Sequence, residues 1–294
     1  MAVIARVFPR KTKYTPDDDL VFFRPPGLFE QIRGIDEVHV SCVFSWDKKK
    51  AEMLARQWKR VCKNVKVGGP AYDDPGGEFI PDMYVKRGYV LTSRGCPRRC
   101  SFCLVPSREG KLRELSVQKG STVFDNNLLA CSHGHVESVF DMLNGQRGVT
   151  FTGGLDTYFM KDWHIDRLVR LGKCLRYFYI AYDRLEDKDS VESALVSLHD
   201  AGLIQDMIGC YVLVGYEGDT IKEADERCEW VFVNGGIPFA MYYRGLYEES
   251  SKKPKEWGEL TCRWMWISTI YKHMKGEGLR YHDRFVRGKL ANNR

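Results

Sequence analysis

From about residue 88 the chain keeps a beat that few folds can satisfy: short apolar runs alternate with helical patterns, at about 30 residues per unit. Six runs rich in Val, Ile, Phe and Tyr read as strands: GYVLTSR (88–94), STVFDNN (121–127), GVTFTGG (148–154), YFYIAYD (177–183), IGCYVLVGY (208–216) and IPFAMYY (237–243). The segments between them place apolar residues at helical spacing. These are Val136, Val139, Phe140 and Leu143, then Ile165, Leu168, Val169 and Gly172, then Val191, Ala194, Leu195 and Leu198. Strand–helix–strand units favour right-handed crossovers and a parallel sheet. The pattern therefore predicts an α/β fold, a partial six-unit (β/α)6 barrel over residues 86–244, open where eight units would close it. The connection 104–120 is too short and basic for a long helix, so the first unit is trimmed.

Residues 1–85 read as a small, degenerate doubly wound α/β domain. DEVHVSCVFSW (36–46) is a strand, Asp47 is placed to cap a helix running through Arg60, and VKVGGPAY (65–72) returns as a strand ending in glycines. PDDD (16–19) reads as a loop and DDPGGEFIPD (73–82) as an interdomain linker. Residues 245–294 hold a charged loop, EESSKKPKEWGE, one helix over LTCRWMWISTIYKHMK (260–275), and a basic tail.

No run approaches the roughly 18 apolar residues of a membrane span, and the start MAVIARVFPRKTKY lacks a secretory apolar region, so a cytoplasmic protein with no membrane partner is expected. Ten cysteines in such a chain should stay reduced. The net charge of +6 is unevenly spread: residues 1–120 hold 23 Lys and Arg against 14 Asp and Glu, and the remainder hold 22 against 25.

Three of the cysteines fall in one stretch, Ser93-Arg94-Gly95-Cys96-Pro97-Arg98-Arg99-Cys100-Ser101-Phe102-Cys103, with C-x3-C-x2-C spacing. It begins where the first predicted barrel strand ends, the face on which such barrels carry their chemistry. Three thiolates can wrap a cubic iron–sulfur cluster, and four irons then leave one without a protein ligand. The alternatives are a zinc site, for which Cys131, His133 and His135 are the nearest further ligands, or a plain core loop.

On these residues the sequence resembles the radical S-adenosylmethionine (radical SAM) enzymes. The resemblance implies that Cys96, Cys100 and Cys103 hold a 4Fe–4S cluster whose open iron takes the amino and carboxylate groups of S-adenosylmethionine, with Phe102 packing beside the adenine. It implies reductive cleavage to methionine and a 5′-deoxyadenosyl radical that abstracts hydrogen from a substrate, with an electron donor such as flavodoxin or ferredoxin. It also implies a partial six-unit barrel. The family's glycine-rich methionine-binding motif ends the second strand. Here Thr152-Gly153-Gly154-Leu155-Asp156 ends the third, whereas the second ends in Asp125-Asn126-Asn127. Asp125, Asn126 and Asn127 are therefore assigned to the methionine end, with Gly153 and Gly154 as a close backbone approach beside them; a tight turn without ligand is the alternative for the glycines. Asp183 resembles the family's polar contact to ribose or carboxylate, or is a helix cap, and Gly215 resembles its adenine-facing glycine. Met241, Tyr242, Tyr243 and Arg244 line the substrate side or fill the barrel mouth.

The segment Cys103-Leu104-Val105-Pro106-Ser107-Arg108-Glu109-Gly110 is similar to methylthiotransferases and to cobalamin-dependent radical SAM enzymes. The whole chain resembles compact bacterial and phage radical SAM proteins with a short N-terminal α/β region, through its D-N-N strand, its G-L-D strand and Arg263-Trp264. It departs from the cobalamin binders in lacking D-x-H-x-x-G: Asp162-Trp163-His164 imitates the start, but Arg167 holds the glycine position. Only Cys42 and Cys62 precede the triad, too few for a second cluster. Cobalamin is accordingly not expected, and the other seven cysteines are read as buried core.

The substrate stays open among three readings. Lys48–Lys50, Arg56, Lys59, Arg60, Lys63 and Lys66, with Arg98, Arg99 and Arg108 by the cluster, suit phosphates and so a nucleic acid or nucleotide, although a solvated basic face is the plainer account. A peptide or small metabolite suits the barrel's acidic balance equally. An iron–sulfur electron carrier or binding protein without turnover is the third reading.

Overall fold

The computed structural model describes residues 2–27, 34–74, 76–245 and 253–276. Two compact units divide it, Met1–Gly120 with Gly245–Ser251 and Ser121–Arg244 with Lys252–Arg294.

In the first unit the N-terminus forms a strand that the sequence reading passed over. The elements in chain order are β1 (Ile4–Val7), β2 (Val21–Phe22), β3 (Glu37–Ser41), α1 (Lys48–Trp58), β4 (Val65–Gly68), β5 (Tyr89–Val90), β6 (Ser93–Arg94), α2 (Val105–Arg108) and β7 (Arg113–Glu114). The first four strands make a wholly parallel sheet in the order β2-β1-β3-β4, with Ala5 opposite Val38 and Val38 opposite Val65. Ala51, Leu54, Ala55 and Trp58 share one face of α1 and are buried with Ala5, Val7, Val38 and Val40 of the sheet. Trp58 is fully buried, donates Nε1–H to the Arg24 carbonyl at 3.2 Å, and meets Phe22 edge-on. Asp47 stands at the start of α1 but does not cap it: its carboxylate accepts from Arg10 Nη2 at 2.7 Å instead.

The second unit carries the predicted beat. Its elements are β8 (Thr122–Val123), α3 (His133–Leu143), β9 (Val149–Leu155), α4 (Asp162–Leu171), β10 (Leu175–Ala181), α5 (Lys188–Asp200), β11 (Ile208–Val214), α6 (Ile221–Val233), β12 (Ile237–Tyr242), α7 (Lys255–Arg263) and α8 (Ile267–Gly276). Strands β8 to β12 lie in sequence order, all parallel, with a helix between each pair. Alternate residues of β11, namely Ile208, Cys210, Val212 and Val214, are buried, and α5 buries the predicted Val191, Ala194, Leu195 and Leu198.

Four expectations are corrected. The run 88–94 holds two separate two-residue strands, and 121–127 has only Thr122–Val123 in strand. In α4 the buried face is His164, Ile165, Leu168 and Leu171; Val169 is exposed and Gly172 lies beyond the helix. The C-terminal helix is two helices, broken where Trp264 is pinned by its Nε1–H to Asp225 Oδ1 at 2.5 Å. Residues 246–252 of the charged loop region and the basic tail from 277 lie outside the described residues. Among the described residues no helix is long and apolar enough to cross a membrane.

Candidate functional site

The cysteine stretch is the loop of a hairpin that the sequence did not reveal. β6 and β7 pair antiparallel, Ser93 with Glu114 and Arg94 with Arg113. Gly95 opens the loop at φ +81°, where a Cβ would come within 2.4 Å of the Lys111 carbonyl oxygen; the outgoing chain passes too close to the returning one for any side chain. Cys103 N–H closes a turn on the Cys100 carbonyl at 3.0 Å, and α2 follows with Pro106 in its first turn. Residues of the predicted linker fasten this hairpin. Arg108 Nε donates to Asp73 Oδ1 at 2.9 Å, Arg113 Nη1 to the Gly76 carbonyl at 3.3 Å, and the Ser116 N–H to Glu78 Oε2 at 3.1 Å. Arg94 pairs with Glu109 at 3.5 Å. Arg108, one of the cations read as a phosphate contact, is thus engaged by Asp73.

No disulfide links the ten cysteines. Cys96, Cys100 and Cys103 are each partly exposed, and Phe102 beside them is half-buried. Cys42, Cys62, Cys210 and Cys228 are buried; burial pushes the Cys42 thiol up to about 11 and raises Cys210 and Cys228 as well, which makes them inert. The core assignment fails for the other three, since Cys131 and Cys174 are half-buried and Cys262 is exposed. Three accessible thiols within eight residues of a fastened hairpin are a donor set that fits an iron–sulfur cluster.

In the second unit the strand ends bring the two proposed methionine-binding segments together. Asp125 and Asn127 are buried and Asn126 is half-buried. A Cβ on Gly153 would lie 2.0 Å from the Asp125 carbonyl oxygen, so β9 runs directly against the chain leaving β8. Asn127 Nδ2 donates to Asp156 Oδ2 at 2.9 Å, while Asp156 Oδ1 accepts from Tyr158 N–H at 3.1 Å. Gly154 has φ +91° and faces the Tyr211 ring.

Asp183 follows β10, and its Oδ1 accepts from the Leu213 N–H at 3.0 Å, which ties the ends of β10 and β11. Burial pushes its carboxyl up to about 7; the charges of Asp187 and Asp156 add to this, while the Leu213 hydrogen bond and Arg227 oppose it. Gly215, at φ +77°, donates its N–H to Asp219 Oδ2 at 2.7 Å, and a Cβ there would strike the Tyr242 ring at 2.5 Å. Arg227 holds Asp219 with two nitrogens at 2.9 and 2.8 Å and also reaches the Leu213 carbonyl at 3.0 Å.

The sequence reading missed an aromatic face on the same strands. Tyr179 and Tyr211 stack with ring centroids 4.2 Å apart and planes 6° from parallel, and Phe239 meets both edge-on. Tyr211 Oη donates to the Thr152 carbonyl at 2.8 Å, next to Gly153. Gly209 was the available signal: a Cβ there would lie 2.5 Å from the Tyr179 ring. Among the described residues Asp225, Glu229 and His273 also converge within 4.8 Å, but the Asp225 carboxylate already accepts from Arg263 at 2.7 Å and from Trp264.

No family model matches the chain. The ribosomal protein uS12 methylthiotransferase RimO of Thermus thermophilus is 41% identical over 59 residues, 19% of this chain and 14% of that protein. The same protein of Stenotrophomonas maltophilia is 34% identical over 62 residues, again 19% and 14%. The matched segment thus spans about a seventh of these relatives' length. Among solved structures, the radical S-adenosylmethionine methyltransferase TsrM of Kitasatospora setae, with cobalamin and a 4Fe–4S cluster bound, superposes with a TM-score of 0.56 at 10% identity, covering 82% of this chain and 75% of that one. A second TsrM structure, with tryptophan substrate and the SAM analogue aza-SAM, gives 0.57 at 11%, covering 83% and 73%. Because a fold neighbour carries cobalamin, the expectation that this chain dispenses with it has no support from the comparison. The chain is an α/β protein with parallel sheets, similar over 59 residues to the methylthiotransferase RimO and in fold to the radical S-adenosylmethionine methyltransferase TsrM.

Proposed function

We propose that the chain is a radical S-adenosylmethionine enzyme in which Cys96, Cys100 and Cys103 hold a 4Fe–4S cluster and residues 86–244 act as a partial (β/α)6 barrel. The observation that carries this reading is the contrast among the cysteines: three accessible thiols share one fastened loop, while four others are buried. Bound there, the cluster and S-adenosylmethionine supply reductive cleavage to methionine and a hydrogen-abstracting 5′-deoxyadenosyl radical.

The chain's own residues bind and orient. Asp125, Asn126 and Asn127 take the methionine ammonium, with Asp156 holding the Asn127 carboxamide in place. Gly153 and Gly154 let the backbone come close, and Gly215 faces the adenine. Asp183, with its carboxyl pushed up to about 7, is about half protonated at pH 7, and in that form donates a hydrogen bond to a ribose or carboxylate oxygen. Tyr179, Tyr211 and Phe239 present an apolar face that sheds water from the radical's surroundings. A flavodoxin or ferredoxin supplies the electron. A nucleic acid or nucleotide is the substrate class we favour: Lys49, Lys50 and Arg56 lie on α1 away from its buried face, and Lys59 follows the helix.

The test is anaerobic reconstitution with iron and sulfide, reduction with dithionite, addition of S-adenosylmethionine, and chromatography of the products. Release of 5′-deoxyadenosine that disappears on changing all three cysteines to alanine is the expected result. A cluster-bearing protein that releases none would instead favour an electron carrier. Binding of transfer RNA that does not weaken with salt would count against the nucleic-acid substrate and for a peptide or metabolite.

A further inference from the structure

The second unit contains a cavity of about 270 Å³ that the proposed chemistry does not use. Its polar wall is Cys131, His133, Lys161 and His164, and Phe159 and Trp163 supply much of the rest. His133 is the first residue of α3, and Lys161 and His164 are the N-cap and third residue of α4, so the first turns of two helices contribute to one wall. Each start concentrates unsatisfied backbone N–H groups and the positive end of a helix dipole. Among the described residues no carboxylate lines the cavity.

His164 is the independent sign of a ligand. It is 2% exposed, and its Nδ1 accepts the Lys161 N–H at 2.9 Å, closing the cap of α4 as a glutamate does in a capping box. Accepting at Nδ1 fixes the tautomer, so the proton sits on Nε2. That nitrogen is buried and has no hydrogen-bond partner among the described residues. Burial first, then the positive charges of Lys161 and His133, push the imidazole down to about 4, and the ring stays neutral with a single N–H to donate.

We propose that this cavity binds the carboxylate of a small organic acid, with His164 Nε2–H donating one hydrogen bond and the Lys161 ammonium supplying the opposite charge. The rings of Phe159 and Trp163 favour an acid with an aromatic or branched body over a bare inorganic anion. The proposal is independent of the cysteine loop and holds whether or not a cluster is present.

Calorimetric titration of the full chain with benzoate, beside inorganic phosphate, tests it. The expected result is one benzoate per chain, with phosphate at least about tenfold weaker. His164→Asn keeps an acceptor for the Lys161 N–H but removes the Nε2 donor, and should weaken benzoate about tenfold at an unchanged circular dichroism spectrum. His164→Gln, which can restore an N–H at that place, should recover part of the loss, and Lys161→Met should weaken binding even if neither histidine variant folds. In proton–nitrogen correlation spectra the His164 Nε2–H resonance should move on adding benzoate. Failure of the unaltered chain to bind benzoate, phosphate binding as tightly, or undiminished binding by the Lys161 and His164 variants would overturn the proposal.

Discussion

Replacing Gly153 with alanine is the sharpest perturbation of the strand-end geometry. The new methyl would begin 2.0 Å from the Asp125 carbonyl oxygen and 2.9 Å from the Phe124 carbonyl carbon. Both neighbours are backbone, so no side chain can swing away. To restore even a 3.0 Å contact, β9 and the chain leaving β8 must part by roughly 1 Å, which strains the Thr150 to Thr122 hydroxyl hydrogen bond (2.9 Å) and the Thr152 contact to the Val123 carbonyl. Overpacking of this kind costs about 1–3 kcal/mol, and the rigid partner puts this case near the top of that range. For a chain of this size that lowers the melting midpoint by about 6–12 °C. Gly258→Ala is the control: it lies inside α7 with nothing within 4 Å of its Cβ position, and should stabilise by about 0.5–1 kcal/mol. Urea unfolding of both variants, with S-adenosylmethionine binding measured on the reconstituted protein, reads the outcome. If Gly153→Ala unfolds within about 0.5 kcal/mol of the parent and binds S-adenosylmethionine equally well, the close approach of the two segments is wrong.

Three further outcomes are expected. The unfolded Asp183 carboxyl ionises near 4 and the folded one near 7, so as pH rises through that window only the unfolded state loses a proton and stability falls, by up to about 4 kcal/mol. Asp183→Asn should flatten that slope in unfolding curves taken at several pH values, and a slope that persists would assign it to another group. Trp58→Ala removes the largest fully buried side chain of the first unit and should cost about 3–5 kcal/mol in denaturant unfolding, whereas a loss below about 1 kcal/mol would contradict its place in that core. Changing Cys96, Cys100 and Cys103 together to alanine should abolish the iron–sulfur absorption after reconstitution, while changing Cys42 and Cys228 to alanine should leave it intact; the reverse pattern would relocate the cluster.

The second unit was legible because its strands and helices each bury apolar residues at their own period, as Ile208 to Val214 and Val191 to Leu198 do. What escaped was short or depended on distant partners. β1 is four residues with an arginine in the middle, and Arg6 is tolerated inside only because Asp18 and the Asp82 carbonyl receive it. The hairpin strands β6 and β7 are two residues each, below any periodic signal. Asp47 has the right residue type for a cap, but Arg10, 37 positions earlier, takes its carboxylate. The break between α7 and α8 falls where Trp264 reaches Asp225, 39 positions away. At the candidate site the cysteines announced themselves by spacing. The Tyr179–Tyr211 stack did not, because a tyrosine in a strand says nothing about its neighbour until the strands are paired in register.

The bonds that fasten the cysteine hairpin hold its loop without any contribution from a metal. Asp73, Gly76 and Glu78 grip the returning side at Arg108, Arg113 and Ser116 through side chains and backbone, and these bonds use no thiol. On the proposed cluster reading, such bonds lower the entropy cost of ordering the loop around iron. If the proposed cluster is held there, a chelator should strip it and leave the hairpin standing.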